Sequence, residues 1–314
     1  MAHMLVPLPL ISESKLSRAA VPDKLPDRAI SGPSGRDHTP VDLLERPAEL
    51  QVRPIESLAD FRACVAIQEE VWGTGFVDVI SASVLQVTSH IGGIVLGAFT
   101  PAGELVGFVA GFTGVKDGQP VHWSHMLGVR EVARNFGVGR MLKEHQRAEL
   151  AGMGIPEMRW SFDPLVAKNA HFNLNRLGAR VTEYVRDMYG NTGSALHGTV
   201  TDRIIVACPT AADHPEWLGD PIIGMPAPML TRVPADGTLA LTDSSPRPPA
   251  VWIEIPLDIM RVIAESPDIA AMWRTAVRHH FEWALGNGYV VTGFHRDSVT
   301  SRAFYTFELQ DTDH

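Results

Sequence analysis

Two glycines stand in the stretch VARNFGVGRML, residues 132–142, where the surrounding pattern predicts the start of a helix. Each glycine costs a helix up to about 1 kcal/mol relative to alanine, so Gly137 and Gly139 indicate that another group approaches the backbone there. A turn between a strand and a helix directs free backbone N–H groups and the positive end of the helix dipole at one spot. The chemistry predicted for these residues is therefore anion binding, with room for a phosphate.

Two common phosphate-binding patterns do not fit this stretch. The dinucleotide pattern GxGxxG fails because Leu142 stands where the third glycine would be, and the P-loop pattern GxxxxGK with Ser or Thr does not occur. The pattern that fits is Q/R-x-x-G-x-G/A, at Arg134, Gly137 and Gly139. It resembles the pyrophosphate-binding signature of the GCN5-related N-acetyltransferase (GNAT) superfamily, whose members bind an acyl-coenzyme A.

The segments around this signature follow the order that the superfamily shows. The strand MLGVR (126–130) resembles the family's fourth strand, whose backbone pairs with the pantetheine arm as an added strand would, and NAHFNLNRLGA (169–179) resembles the helix beside the coenzyme. The resemblance covers residues 50–208 in element order and 120–180 in motif detail. It implies coenzyme contacts at Leu127, Val129, Arg134, Asn135, Phe136, Gly137, Val138, Gly139, Arg140, Asn169, Phe172 and Asn173.

The resemblance also implies a reaction, in which an amine attacks the thioester carbonyl directly without an acyl-enzyme. That reaction needs a base, polarisation of the carbonyl and an acid near the leaving thiolate. We expect the backbone N–H of Leu127 to polarise the carbonyl. The family's usual acid, a tyrosine on the coenzyme-side helix, is missing because Leu174 stands at its position. Another acid, water, or a thiolate stabilised without protonation remain open.

His125 is the first candidate for the base, since an unperturbed imidazole pKa near 6.5 suits that role. Strand alternation over VHWSHMLGV (121–129) predicts His125 on one face with Leu127 and Val129, and the side chains of 122, 124 and 126 on the other. The alternative is a core histidine bonded to a neighbouring strand. Asp163 and Glu254 are further candidates, each with a capping or structural role as its alternative.

Arg274, in MWRTAVR, could hold an acceptor carboxylate through a bidentate pair, or it could form an ordinary ion pair on the helix surface. The adjacent His279 and His280 point about 100° apart on a helix and are poor joint ligands, so we expect no metal site.

Further segments resemble one bacterial branch of GNAT proteins with a C-terminal extension, which is linked to N-succinylation of amino acids. These segments are residues 160–190, VWIEIP (251–256) and MWRTAVRHHFEWALGNGYVV (272–291). The function implied is transfer of an acetyl or succinyl group from acyl-CoA to a small primary amine or amino acid, with coenzyme A as the other product. The alternatives are a non-catalytic acyl-CoA sensor or scaffold, or other chemistry of CoA thioesters.

The helix and strand patterns around these residues predict an α+β protein with four segments. Residues 1–48 form a flexible N-terminal extension, and 49–208 form a GNAT domain with the order β-α-α-β-β-β-α-β-α-β-β. A Pro-rich linker (209–249) leads to a β-α-β-β extension (250–314), which could extend the first sheet or build its own. The fold expected is a mixed, mostly antiparallel central sheet flanked by helices, together with this extension.

Charge and composition exclude some classes of binding partner. The net charge is −9 without a concentrated Lys/Arg run, which disfavours nucleic acid and anionic membranes. The sequence has no apolar run of about 18–20 residues and no secretory signal pattern, so we expect a cytoplasmic protein. Cys64 and Cys208, far apart, exclude a disulfide framework and are expected to be buried. A homodimer is left open.

Overall fold

The computed structural model describes residues 50–190, 201–211, 247–297 and 301–310. The predicted N-terminal extension and most of the predicted linker lie outside the described residues. No helix within the described ranges has the length and apolar character that crossing a membrane requires.

The larger sheet has seven strands in the order β1-β2-β3-β4-β5-β7-β6. Neighbouring strands are antiparallel except β4 and β5, which are parallel. The predicted element order and the mixed, mostly antiparallel sheet are confirmed. The strands are β1 (Gln51–Pro54), β2 (Ile94–Phe99), β3 (Leu105–Lys116), β4 (Gln119–Val129), β5 (Glu157–Phe162), β6 (Arg180–Val185) and β7 (Arg203–Pro209).

Helices cover both faces of this sheet. On one face, α1 (Leu58–Trp72) and α2 (Ala82–His90) bury a core that includes Phe61 and Phe108. Ser57 caps α1, and its hydroxyl accepts from the backbone N–H of Asp60. The other face carries α3 (Val138–Gly152) and α4 (Ala167–Ala170), which continues as a π-helical turn over His171–Arg176.

The C-terminal extension builds a sheet of its own, in the antiparallel order β8-β10-β9. Its elements are β8 (Ala250–Pro256), α5 (Ile259–Glu265), α6 (Pro267–Gly286), β9 (Tyr289–Asp297) and β10 (Arg302–Leu309). The predicted β-α-β-β order contained one helix, so α5 is an addition to it, and α6 begins with Ser266 as cap and Pro267 as its first residue.

The extension shares a core with the α3 face of the larger sheet. Two hydrogen bonds, one buried and one partly buried, also join them. The Tyr305 hydroxyl donates to the Pro164 carbonyl at 2.8 Å, and the Asn175 amide donates to the Phe294 carbonyl at 2.8 Å. The end of β5 and the helix after it are therefore held by the extension.

A β-bulge at His125 interrupts β4. Against β3, Met126 pairs with Ala110 and Ser124 pairs with Gly111, so His125 has no partner of its own. A bulge inserts one extra residue and reverses the alternation of side chains beyond it.

The bulge makes the predicted facing of β4 wrong. His122 and Ser124 both bond to α3 through Gln146, and Leu127 packs in the core on that same side. Met126 instead joins the core under α1 and α2. The prediction failed because it assumed an uninterrupted alternation, whereas the extra residue places 122 and 124 on one face with 127 and 129.

Cys64 and Cys208 are buried and unbonded to each other, which confirms their predicted role as small core residues.

Candidate functional site

The site begins where β4 and β5 separate. Their parallel pairing is confined to His122 with Met158 and Trp123 with Arg159, although β4 continues to Val129 and β5 to Phe162. Beyond Trp123 the two strands therefore diverge. We call the space between them the fork.

Two backbone amides of β4 face the fork. The N–H of Arg130 donates to the Val106 carbonyl on β3 at 2.9 Å. Because N–H groups in an antiparallel ladder point alternately toward and away from the neighbouring strand, those of Leu127 and Val129 point away from β3. The Val129 carbonyl, on that same side, accepts from Arg134 Nε at 3.1 Å. Among the described residues, the Leu127 and Val129 amides therefore have no partner strand, and they lie next to the predicted anion site.

The N-terminus of α3 lies at the end of this stretch and has no side-chain cap. Gly137 adopts a left-handed conformation, with φ of 79°, and a Cβ built there would meet nothing within 4 Å. Asn135 is also left-handed, with φ of 68°. The corner is open, and a glycine at 137 is required by its backbone angle.

The other residues predicted at this corner differ in what they offer. A Cβ at Gly139 would lie 3.6 Å from side-chain atoms of Leu127 and Phe172, an ordinary contact, so crowding by the chain itself does not require glycine. Val138 is buried in the core, so only its main chain could touch a ligand. Phe136 is exposed, and Arg140 pairs with Glu144 on the surface of α3.

A cavity of about 510 Å³ fills the fork, lined by β4, β5, α3, α4 and residues 72–79. Leu127, Asn169, Phe172 and Asn173, all predicted as ligand contacts, line it. Asn173 Oδ1 accepts from Trp160 Nε1 at 3.0 Å, which fixes its side chain. Leu174 is fully buried and does not line the cavity.

Of the three candidate bases, His125 and Asp163 line the cavity and Glu254 does not. The His125 ring lies 5.6 Å from that of Phe112, and although its side chain is exposed, desolvation by the surrounding protein atoms lowers its pKa from 6.5. Glu254 pairs with Arg302 inside the C-terminal sheet, with distances of 2.6 and 2.7 Å. His125 is therefore neutral at pH 7 and adjacent to the fork.

The wall of the cavity formed by β4 and α3 contains a chain of hydrogen bonds, which we call the Lys143 network. Lys143 Nζ donates to Ser124 Oγ at 2.8 Å, and that hydroxyl donates to Gln146 Oε1 at 2.7 Å. Gln146 Nε2 lies 3.1 Å from His122 Nε2, whose Nδ1 is 3.1 Å from Thr113 Oγ1. Burial lowers the pKa of Lys143 to about 7 and that of His122 to about 4.

Ion pairs lie behind the opposite side of the cavity, where α6 packs near the ends of β5 and β7. Arg274 Nη1 donates to Asp163 Oδ2 at 3.1 Å, with both side chains nearly inaccessible. Arg278 binds both carboxylate oxygens of Asp202, at 2.5 and 2.7 Å. Arg274 thus forms a buried ion pair and lies behind Asp163, outside the residues that line the cavity.

Arg203 lines the cavity between these pairs and is only 5% exposed. Its Nη1 donates to the Asp202 carbonyl at 2.9 Å, and its guanidinium lies 5.3 Å from the ring of Tyr189. The nearby carboxylates of Asp163 and Asp202 are both bound by arginines of α6. No carboxylate in the described part of the chain forms an ion pair with Arg203.

The sequence analysis missed Lys143, Ser124 and Arg203. Lys143 lies in KEHQR, a run that is typical of a solvent-exposed helix face, and its position beside the buried Leu142 was the only signal. Arg203 stands at the head of the apolar strand IIVAC, where a charged residue is ordinary. Neither pattern distinguishes a cavity residue from a surface one.

Within the described ranges, no group of three or more His, Cys, Asp and Glu side chains is arranged to hold a metal ion.

No family model and no curated protein matches the chain. Solved structures resemble it. The ribosomal-protein-S18-alanine N-acetyltransferase from Escherichia coli is 18% identical, with a TM-score of 0.41, over 54% of this chain and 99% of that one. An N-acetyltransferase from Staphylococcus aureus is 11% identical, with a TM-score of 0.42, over 51% and 98%. Arabidopsis thaliana Naa50, in complex with a bisubstrate analogue, is 15% identical, with a TM-score of 0.41, over 51% and 98%. All three TM-scores lie below 0.5, so we base the functional proposal on the geometry of the cavity.

Proposed function

We propose that this protein is an acyl-CoA-dependent N-acyltransferase of the GNAT type, which transfers an acetyl or succinyl group to an amino acid or another small primary amine. The fork carries this proposal. The amides of Leu127 and Val129 point away from β3 into the fork, have no strand partner among the described residues, and lie near the uncapped N-terminus of α3. A thioester arm would bond to these amides as an added strand does, and its diphosphate would meet the N–H groups around Gly137.

The same residues supply most of the chemistry. The Leu127 N–H would donate to the thioester carbonyl oxygen and stabilise the charge that develops on it. His125, whose pKa is lowered by desolvation, would accept a proton from the acceptor's ammonium group. The amine would then attack the carbonyl carbon directly.

Arg203 supports a substrate that carries a carboxylate. A nearly buried guanidinium without a carboxylate partner is costly, and an anionic ligand in the cavity would compensate it. The carboxylate could belong to an amino-acid acceptor or to a succinyl donor. In the first case activity with the amino acid would depend on Arg203, and in the second case activity with succinyl-CoA would.

Release of free thiol tests the reaction. Acetyl-CoA and succinyl-CoA are each incubated with a panel of amino acids and their amides. Thiol release that requires an amine is the expected result. Tight binding of coenzyme A without turnover would instead support a non-catalytic acyl-CoA sensor, which the buried Leu174 at the family's tyrosine position favours.

Two matched variants test the phosphate site. Gly137 and Gly154 lie at opposite ends of α3, both have positive φ, and both face open space. Gly137→Asp places a carboxylate where the diphosphate would lie and should lower coenzyme A affinity at least tenfold by calorimetry, whereas Gly154→Asp should not. Equal affinities in the two variants would contradict the proposed phosphate site.

A further inference from the structure

Lys143 is buried at the point where the fork opens. Its residue is 3% exposed, and its ammonium nitrogen lies 2.8 Å from Ser124 Oγ on β4 and 3.8 Å above the ring of Trp160 on β5. It lines the same cavity as Leu127, whose amide faces the fork. The side chain therefore bridges β4 and β5 in the wall of the cavity that Leu127 also lines.

No carboxylate in the described ranges pairs with Lys143. Its polar contacts there are the Ser124 hydroxyl and the face of Trp160. A buried ammonium without a counterion is expensive, and a hydrophobic residue of similar volume would fill the space without that cost. A charge-bearing residue at this position indicates a role beyond packing.

The direction of the Lys143 network leaves the lysine able to accept a proton. The Ser124 hydroxyl hydrogen is committed to Gln146, so Ser124 can only accept from Lys143. A neutral lysine can make that donation with one N–H and still keep its lone pair for another group.

We infer that Lys143 is a catalytic residue, which accepts a proton from the acceptor nitrogen and returns it to the leaving thiolate; this inference rests on the proposed function. It fills the place of the tyrosine that the chain lacks. Of the four tyrosines only Tyr189 lines the cavity, and its hydroxyl bonds to Ser161 at 3.0 Å on the exposed side.

The protons balance across the reaction. The acceptor ammonium first loses one proton, through His125, to solvent. The free amine then forms a C–N bond with the carbonyl carbon, and Lys143 takes the second proton from the nitrogen. As the C–S bond breaks, the thiolate receives that proton from Lys143, which returns to its neutral form. The products are an amide and a thiol.

The environment of Lys143 favours this cycle. Burial lowers its pKa to about 7, so near neutral pH it changes protonation state at little cost. The titratable and charged groups around it come from β4, β7 and the cavity walls: His122, His125, Cys208, Asp163, Arg203 and Asp78. Cys208 and His122 are buried and neutral at pH 7.

The test compares Lys143→Met and Lys143→Arg with the exposed control Lys116→Met. With acetyl-CoA and the best amine of the panel, both Lys143 variants should lose about 100-fold in kcat, while coenzyme A affinity by calorimetry changes little. Arginine should fail as methionine does, because it stays protonated and cannot carry a proton. In wild-type protein kcat should fall below a pKa near 7, and both variants should lose this limb.

Other outcomes separate the possible failures. If Lys143→Arg keeps wild-type kcat, the lysine supplies a fixed charge or a structural contact and the inference is wrong. If Tyr189→Phe abolishes turnover while Lys143→Met does not, the tyrosine is the proton donor. If wild-type protein turns over no acyl-CoA in the panel, the proposed function fails and the role of Lys143 fails with it. Circular dichroism checks that each variant folds. The pH profile of wild-type protein tests the role of Lys143 without any substitution.

Discussion

The two walls of the cavity treat buried charge in opposite ways. On the side of β5, β7 and α6, Arg274 pairs with Asp163 and Arg278 with Asp202. On the side of β4 and α3, Lys143 is bound only by neutral groups, and every other member of its network is uncharged. Arg274 and Arg278 are thus paired with carboxylates of the protein, whereas Lys143 has no carboxylate partner among the described residues.

This difference indicates where a ligand acts. Compensated charges hold the C-terminal extension against the larger sheet, because α6 supplies both arginines. Because these arginines bind Asp163 and Asp202, no carboxylate among the described residues forms an ion pair with Arg203. The extension thus sets the charge of the cavity, and the uncompensated cations Lys143 and Arg203 are the groups available to substrates.

Arg274→Met should give the largest change. It leaves the carboxylate of Asp163 buried without its partner, and we expect the free energy of unfolding to fall by about 3–5 kcal/mol. Urea unfolding measures this. The double variant Asp163→Asn with Arg274→Met should recover much of the loss, since it removes the orphaned charge. A loss below about 1 kcal/mol in the single variant would show that the two walls do not differ.

Lys143→Met should raise the free energy of unfolding, whereas Arg274→Met lowers it. The pKa of Lys143 is about 7 when folded and 10.5 ordinarily, so between these values the unfolded chain binds more protons and wild-type stability rises with pH. Methionine carries no such cost. The variant should be more stable by about 1–4 kcal/mol at pH 7 and below, with the difference shrinking toward pH 10.

Urea unfolding across this pH range, with Lys116→Met on the surface as control, tests this expectation. Destabilisation by Lys143→Met at pH 7 would mean that the network compensates the ammonium after all.

Arg203→Gln should give the smallest effect, confined to one substrate. The loss of a charged hydrogen bond of about 1.5–3 kcal/mol corresponds to a fall in kcat/KM of about 10- to 100-fold for the substrate that carries the carboxylate. If the acceptor carries the carboxylate, kcat/KM should fall for the amino acid and stay unchanged for its amide. If the donor carries it, kcat/KM should fall for succinyl-CoA and stay unchanged for acetyl-CoA. The exposed Arg261→Gln is the matched control. An equal loss for charged and uncharged substrates would contradict a carboxylate site at Arg203.

Short-range signals in the sequence were enough to predict the helices and strands of the larger sheet and the predicted anion site at Gly137. The capping serines at 57 and 266 and the glycine at 137 act through their immediate neighbours, so their consequences can be predicted from a few residues. The order of strands and helices in the larger sheet followed from such signals.

Tertiary structure alone decided the charges and facing of the cavity. The bulge at His125 arises from pairing with β3, and it reverses a facing that simple alternation predicts. Lys143 is buried because α3 packs it between Ser124 of β4 and Trp160 of β5, and among the described residues Arg203 has no ion pair because α6, about 70 residues later, binds the nearby carboxylates. Burial and charge pairing depend on residues distant in sequence, and these contacts set both the pKa of a lysine and the availability of an arginine.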